Sequence, residues 1–169
     1  TYAFLTQILR EVAALFPSPW IMIGGDEVSY GSYAWLADKD IKALMDSQGY
    51  SEAAQAEGYF IRAMADSVKA LGKQMIGWDD IVDFGVDPEN NMMMWWRHDN
   101  VQRLHDVLDG GFRTVLCPRK PMYFDFVQRE EDSVGRRWDG FCPLEDVYAF
   151  PDAWYEAWGV SPQQLDSQV

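Results

Sequence analysis

Histidine and cysteine are scarce in this chain, two of each among 169 residues, and positive charge is in short supply, with 14 lysines and arginines against 27 acidic residues. Each shortage excludes something. His98 and His105 lie seven positions apart, two helical turns, with no third ligand spaced alongside them, so a histidine-built metal centre has no support. Asp79, Asp80 and Asp83 offer no better cation geometry, and neither a metal nor a cofactor is expected. Cys117 and Cys142 sit in no CxxC pair and beside no histidine; they can be a disulfide or two buried thiols, and they leave the redox compartment open. A net charge of -13 repels a phosphate backbone from most of the surface, so nucleic acid is not an expected partner. No glycine-rich loop carries a lysine for phosphate, and Gly24-Gly25 runs straight into negative charge. No stretch approaches about 18 consecutive apolar residues, so no membrane span is expected. The N-terminus has no basic region followed by a small-residue cleavage site, and no repeat or low-complexity segment stands out.

What the chain does have is apolar and aromatic mass. Hydrophobic residues make up 48%, with eight Trp, eight Tyr and nine Phe, which excludes a disordered chain and is enough for one domain or part of a larger one. Aromatic faces serve either a bulky core or a cleft that stacks sugar rings, and core packing accounts for most of them.

The stretch that organises the rest is Trp20-Ile21-Met22-Ile23-Gly24-Gly25-Asp26-Glu27-Val28, a short apolar run followed by two glycines and two adjacent carboxylates. The run predicts a buried strand, and the glycines let the backbone leave it in conformations a side chain would forbid. Before it, apolar residues from Phe4 to Leu15 repeat with a helical period, and Pro17-Ser18-Pro19 stops that helix. After it, Tyr30 to Tyr33 predicts a loop and Ala34 to Asp46 a helix closed by Gly49. Ser51 is placed to cap a long helix with apolar positions Ala56, Tyr59, Phe60, Ala63, Met64, Val68 and Leu71, ended by Gly72. Further strands are predicted at Gln74 to Gly77, Met92 to Trp96 and Arg113 to Cys117, with a single helical turn at Ile81 to Phe84 and a helix from Asn100 to Gly110 between them. Gln128 to Gly140 is charged and predicts an exposed loop; the tail predicts short helices and turns. Strands alternating with helices imply an α/β fold with a parallel sheet. A closed eightfold barrel takes about 250 residues, so this length holds half a barrel or a small open sheet.

The strand ends repeat one chemistry. Asp26 and Glu27 follow the first, Trp78, Asp79 and Asp80 the second, Trp95, Trp96 and Arg97 the third, and Tyr123 and Asp125 the fourth. Ligands of parallel α/β folds bind at the carboxyl ends of the strands. Carboxylates that accept from hydroxyls, beside rings that stack on C–H faces, point to a carbohydrate.

Taken together, Ile23-Gly24-Gly25-Asp26-Glu27-Val28, Gly77-Trp78-Asp79-Asp80, Trp96-Arg97 and Tyr123-Phe124-Asp125 resemble, in order and spacing, the second half of the catalytic barrel of the family 20 glycoside hydrolases, the β-N-acetylhexosaminidases. The resemblance covers nearly the whole chain and implies a partial (β/α)8 TIM barrel, roughly strands four to seven with their helices. Residues 1–169 would then be the C-terminal part of such a barrel, a fragment of a larger enzyme whose sugar-gripping Arg lies upstream and whose last strand lies downstream. The implied activity removes terminal β-linked N-acetylglucosamine or N-acetylgalactosamine by a substrate-assisted retaining mechanism, so the partner is an N-acetylhexosamine-containing glycan. Glu27 would be the general acid and later the base, in surroundings that favour its neutral form, and Asp26 would hold the acetamido N–H. Trp78 and Trp96 would wall the N-acetyl group, Tyr123 would donate to its oxygen, and Asp125 would accept from a sugar hydroxyl. Of Trp95 and Trp96, one is expected in the core, because successive strand residues face opposite sides. The family's habit would place the protein outside the cytoplasm, secreted or periplasmic.

One residue departs from the pattern: Met22 stands where the family usually has His, and Met neither ionises nor donates a hydrogen bond. It supports an alternative, a non-catalytic carbohydrate-binding protein with a degenerate hexosaminidase site, against which stands the retained Asp26-Glu27 pair. Half a barrel would leave sheet edges open, so the isolated chain is expected to hydrolyse little and to associate with itself.

Overall fold

A computed structural model describes residues 1–31 and 33–169; for Tyr33 and Leu36 it describes the backbone alone. The loop expected from Tyr30 to Tyr33 therefore lies in part, at Ser32, outside the described residues. The chain divides into two compact units, Thr1–Met93 and Met94–Val169.

In the first unit, helix α1 (Tyr2–Leu15) leads to strand β1 (Trp20–Met22). Helices α2 (Tyr33–Ala37), α3 (Lys39–Gln48) and α4 (Ala53–Ala70) follow, then strand β2 (Gln74–Trp78), a 3-10 helix over Asp79–Phe84 and the start of strand β3 (Asn91–Trp95). β1 and β2 are parallel, with Trp20 opposite Gln74, Ile21 opposite Met75 and Met22 opposite Ile76, and β3 lies on the other side of β2. Helix α4 is the spine of this unit. Its buried face, Ala56, Glu57, Ile61, Met64 and Val68, follows the 3.6-residue period and meets α1, α3, β2 and the 3-10 turn. Lys73 ties the entrance of β1 to that of β2 by donating to the carbonyls of Phe16 (3.1 Å) and Ser18 (2.6 Å).

Two local expectations are corrected here. The helix expected across Ala34 to Asp46 is two helices, because Asp38 is extended (ψ 126°) and its carboxylate accepts from the N–H groups of Asp40 and Ile41 at 2.9 and 3.0 Å, restarting the helix as an N-cap. The start of α4 is capped by Gln55 rather than by the Ser51 hydroxyl: its side-chain oxygen accepts from the N–H groups of Ser51 and Glu52, both at 2.9 Å.

In the second unit the end of β3 continues beside strand β4 (Arg113–Leu116), with the Cys117 N–H donating to the Trp95 carbonyl at 2.9 Å. Helix α5 (Val101–Asp109) connects them, its first turn capped by Asn100, whose side chain accepts from the Arg103 N–H. A short turn α6 (Arg119–Met122) and helices α7 (Leu144–Ala149), α8 (Asp152–Tyr155) and α9 (Pro162–Gln168) complete the unit. Its core joins Trp95, Leu104, Leu108, Trp158 and Val160, so the irregular tail supplies core residues rather than a surface coat. Trp95 meets Trp158 edge-on at 4.8 Å, an arrangement favoured by the ring quadrupoles. The 128–140 segment is largely exposed as expected, but it is tied down: the Arg136 N–H donates to Asp125 (2.7 Å), and the Val127 N–H to Arg136 (3.1 Å). Cys117 and Cys142 are free thiols, and burial pushes the Cys142 thiol above its ordinary range.

Candidate active site

The segment leaving β1 is shaped by one isoleucine. Ile81 is fully buried beneath the ends of β1 and β2, and a methyl group on Gly25 would come within 2.4 Å of its Cγ2 and one on Gly77 within 2.3 Å of its Cδ1. Gly25, just past β1, and Gly77, within β2, must therefore both be glycine. Gly24 and Gly25 also adopt φ of 81° and 97°, values L-residues rarely reach. The turn they make carries the chain past the end of β2, where the Trp78 N–H donates to the Gly24 carbonyl at 3.0 Å.

Asp26 and Glu27 emerge from this turn exposed. Glu27 itself is in the left-handed region at φ 53°, uncommon for a non-glycine residue and the kind of backbone strain that collects at working sites. Its N–H donates to Asp80 Oδ1 at 3.3 Å, which joins the mouth of β1 to the mouth of β2. Half-buried Trp78, fully buried Asp79 and half-buried Asp80 thus gather with Asp26 and Glu27 in this unit. Met22 is 40% exposed at the end of β1.

Behind the pair, Gly25, Asp26 and Val28 line a cavity of about 620 Å³ together with Trp35, Glu57 and Ile61. Glu57 is only 5% exposed and accepts a short hydrogen bond from the Tyr30 hydroxyl. Burial lifts the Glu57 carboxyl above the usual carboxylate range and the negative field of Asp80 adds to this, while the Tyr30 hydrogen bond acts the other way. The same burial and the bond to Glu57 push the Tyr30 phenol well up. Neither residue was singled out from the sequence. The available signal was a carboxylate on the apolar stripe of α4, four residues before Ile61.

The second unit holds the remaining predicted residues. Both members of the tryptophan pair are buried, Trp95 at 0% exposure and Trp96 at 8%, so the expectation of a single core member is corrected; the guanidinium carbons of Arg97 and Arg119 stand 4.7 and 5.1 Å from the Trp96 ring centre. Arg119 also stands 5.1 Å from the Trp138 ring, pairs with Asp99 at 2.6 Å, and links two predicted residues through its backbone: its N–H donates to Trp96 and its carbonyl accepts from Tyr123, both at 2.8 Å. Burial works against ionisation of Asp99, but the Arg119 charge, its hydrogen bonds to backbone and to Arg119, and His98 together outweigh it and hold the carboxyl low. Tyr123 lines a cavity of about 280 Å³ with Phe126, Cys142 and Leu144. Asp125 is exposed and pairs with Arg136 at 2.9 Å. His98 pairs with Asp139 at 3.1 Å, although burial lowers its pKa. Arg119, Arg136 and Trp138 had no motif to mark them; they arrive through the fold of the 118–140 region.

A parallel α/β fold with paired carboxylates and tryptophans at its strand ends is the arrangement of a glycoside-processing protein. Comparison narrows this. The family model for the catalytic domain of glycosyl hydrolase family 20 matches residues 1–168, and the chain belongs to that family. It is 34% identical to a beta-hexosaminidase of Vibrio furnissii over 89% of its length and 24% of that protein's. It is 27% identical to the beta-hexosaminidase subunit beta of Mus musculus, over 87% of its own length and 26% of the relative's. Among solved structures it is similar to the family 20 exo-β-N-acetylglucosaminidase of Vibrio harveyi in complex with N-acetylglucosamine, with 32% identity and a TM-score of 0.78, over 88% of this chain and 23% of that one. The chain thus spans about a quarter of the length of these relatives.

Proposed function

We propose that this chain is the C-terminal part of a (β/α)8 catalytic barrel, roughly its strands four to seven, and that the full-length protein hydrolyses terminal β-linked N-acetylglucosamine or N-acetylgalactosamine. The observation that carries the reading is the Asp26-Glu27 pair, set out from the end of β1 on a strained turn and tied to the mouth of β2 through Asp80. Adjacent carboxylates with divided roles fit substrate-assisted retention, in which the sugar's own acetamido oxygen attacks the anomeric carbon and no enzyme nucleophile is needed. Glu27 gives its proton to the glycosidic oxygen as that bond breaks, then takes one from the water that opens the oxazolinium intermediate. Asp26 accepts from the acetamido N–H and stabilises the positive charge that develops there. Trp78 and Trp96 wall the N-acetyl group, Tyr123 donates to its oxygen, and Asp125 accepts from a ring hydroxyl. Neither a metal nor a cofactor enters this mechanism.

The test is turnover of a chromogenic β-N-acetylglucosaminide by the full-length protein and its Glu27→Gln variant. Loss of a general acid lowers the rate by about 10²–10⁴-fold. Met22, exposed at the position the family gives to His, favours a second reading, a carbohydrate-binding protein without turnover. Sugar binding with wild-type activity no greater than that of Glu27→Gln would establish it.

A further inference from the structure

The segment from Ile23 to Ser29 has no regular secondary structure, yet it carries both members of the acidic pair. Its described ties fall at three points. At its start, the Ile23 N–H donates to the Ile76 carbonyl and the Gly24 carbonyl accepts from the Trp78 N–H, both at 3.0 Å. In the middle, the Glu27 N–H donates to Asp80. At its far end, the Tyr30 hydroxyl donates to Glu57, a residue 27 positions later on α4. The first ties follow from strand pairing and would form in any parallel sheet. The last is different. It takes a carboxyl at a position of α4 where the stripe of Ala56, Ile61, Met64 and Val68 calls for an apolar side chain, and burying a carboxyl there is unfavourable unless it is hydrogen-bonded. The Tyr30 ring is further held edge-on against Trp35 at 6.1 Å.

We propose that Glu57 is a positioning residue for the general acid: fixed on the buried face of α4, it holds the Tyr30 hydroxyl and so sets the 24–30 segment in the one arrangement that brings Glu27 to the glycosidic oxygen. Glu57 lines the cavity behind Asp26 and acts on the reaction only through Tyr30 and the backbone. The elevated affinity of Glu57 for its proton is consistent with this role, since a neutral carboxyl still accepts from the phenol. The inference rests on Glu27 being the general acid.

Proton donation matters in proportion to the basicity of the leaving group, which gives the test its readout. Using the full-length enzyme, kcat/KM is measured for N,N′-diacetylchitobiose and for 2,4-dinitrophenyl β-N-acetylglucosaminide, whose leaving group departs without a proton. Tyr30→Phe and Glu57→Ala are expected to lose about 10–100-fold on the disaccharide and less than about 3-fold on the dinitrophenyl substrate, with Glu57→Gln restoring most of the loss. General loosening would lower both substrates alike, and that result in Tyr30→Phe, or full activity of that variant on the disaccharide, would overturn the proposal. Should Glu57→Ala fail to fold, Tyr30→Phe, which removes only a hydroxyl, decides. A wild type no more active than Glu27→Gln on the disaccharide would overturn the functional reading, and the role of Glu57 with it, a result distinct from an active wild type indifferent to Tyr30.

Discussion

At the scale of single residues, the carboxylates do different work according to how far each is withdrawn from water. Asp26 and Glu27 are exposed and marked by their motif, whereas Glu57 is buried and marked only by being out of place on an apolar stripe. Its burial has a consequence for stability. Because the folded-state pKa of Glu57 is raised, its contribution is fully present below the usual carboxylate range and is lost as the pH rises through the raised value. Replacing it with Gln is expected to flatten that fall. Melting temperatures of both forms, taken from about pH 4 to 8, check the sign: parallel curves would contradict it. The tryptophan pair was legible in part. Strand alternation suggested one buried and one outward ring, but both are buried: Trp95 joins Trp158 and Val160 of the tail, and Trp96 is covered beside Arg97 and Arg119.

At the scale of elements, strand and helix existence was legible from period and from Gly and Pro punctuation, while the boundaries moved wherever a polar side chain could satisfy backbone groups. Asp38 broke one expected helix into two in this way, and Gln55 displaced Ser51 as the cap of α4. The glycines of the first motif were legible as turn formers, but not why Gly25 past β1 and Gly77 within β2 must both be glycine; that reason is Ile81, brought beneath them by the 3-10 turn. Gly25→Ala must both strain φ at 97° and displace Ile81. The expected cost is about 2–4 kcal/mol, read as a lower denaturant midpoint at unchanged slope. A neutral Gly25→Ala would show that Ile81 yields easily and is not what fixes the turn.

At the scale of the whole molecule, the net charge of -13 makes a phosphate backbone an unfavourable partner, and among the described residues no helix is long and apolar enough to cross a membrane. β1 has β2 on one side and, among the described residues, no strand on the other, so it is an edge strand. The chain on its own is therefore expected to associate. Light scattering should give a mass that rises with concentration above 19.4 kDa, and a constant monomer mass would contradict this. The full-length enzyme carries the central claim, that the substrate's own acetamido group is the nucleophile beside Asp26 and Glu27. It is tested most directly by comparing, at matched leaving group, hydrolysis of a β-N-acetylglucosaminide with that of the β-glucoside carrying a hydroxyl in place of the acetamide. The account predicts turnover of the first and none of the second above a Glu27→Gln background; comparable turnover of both would contradict it.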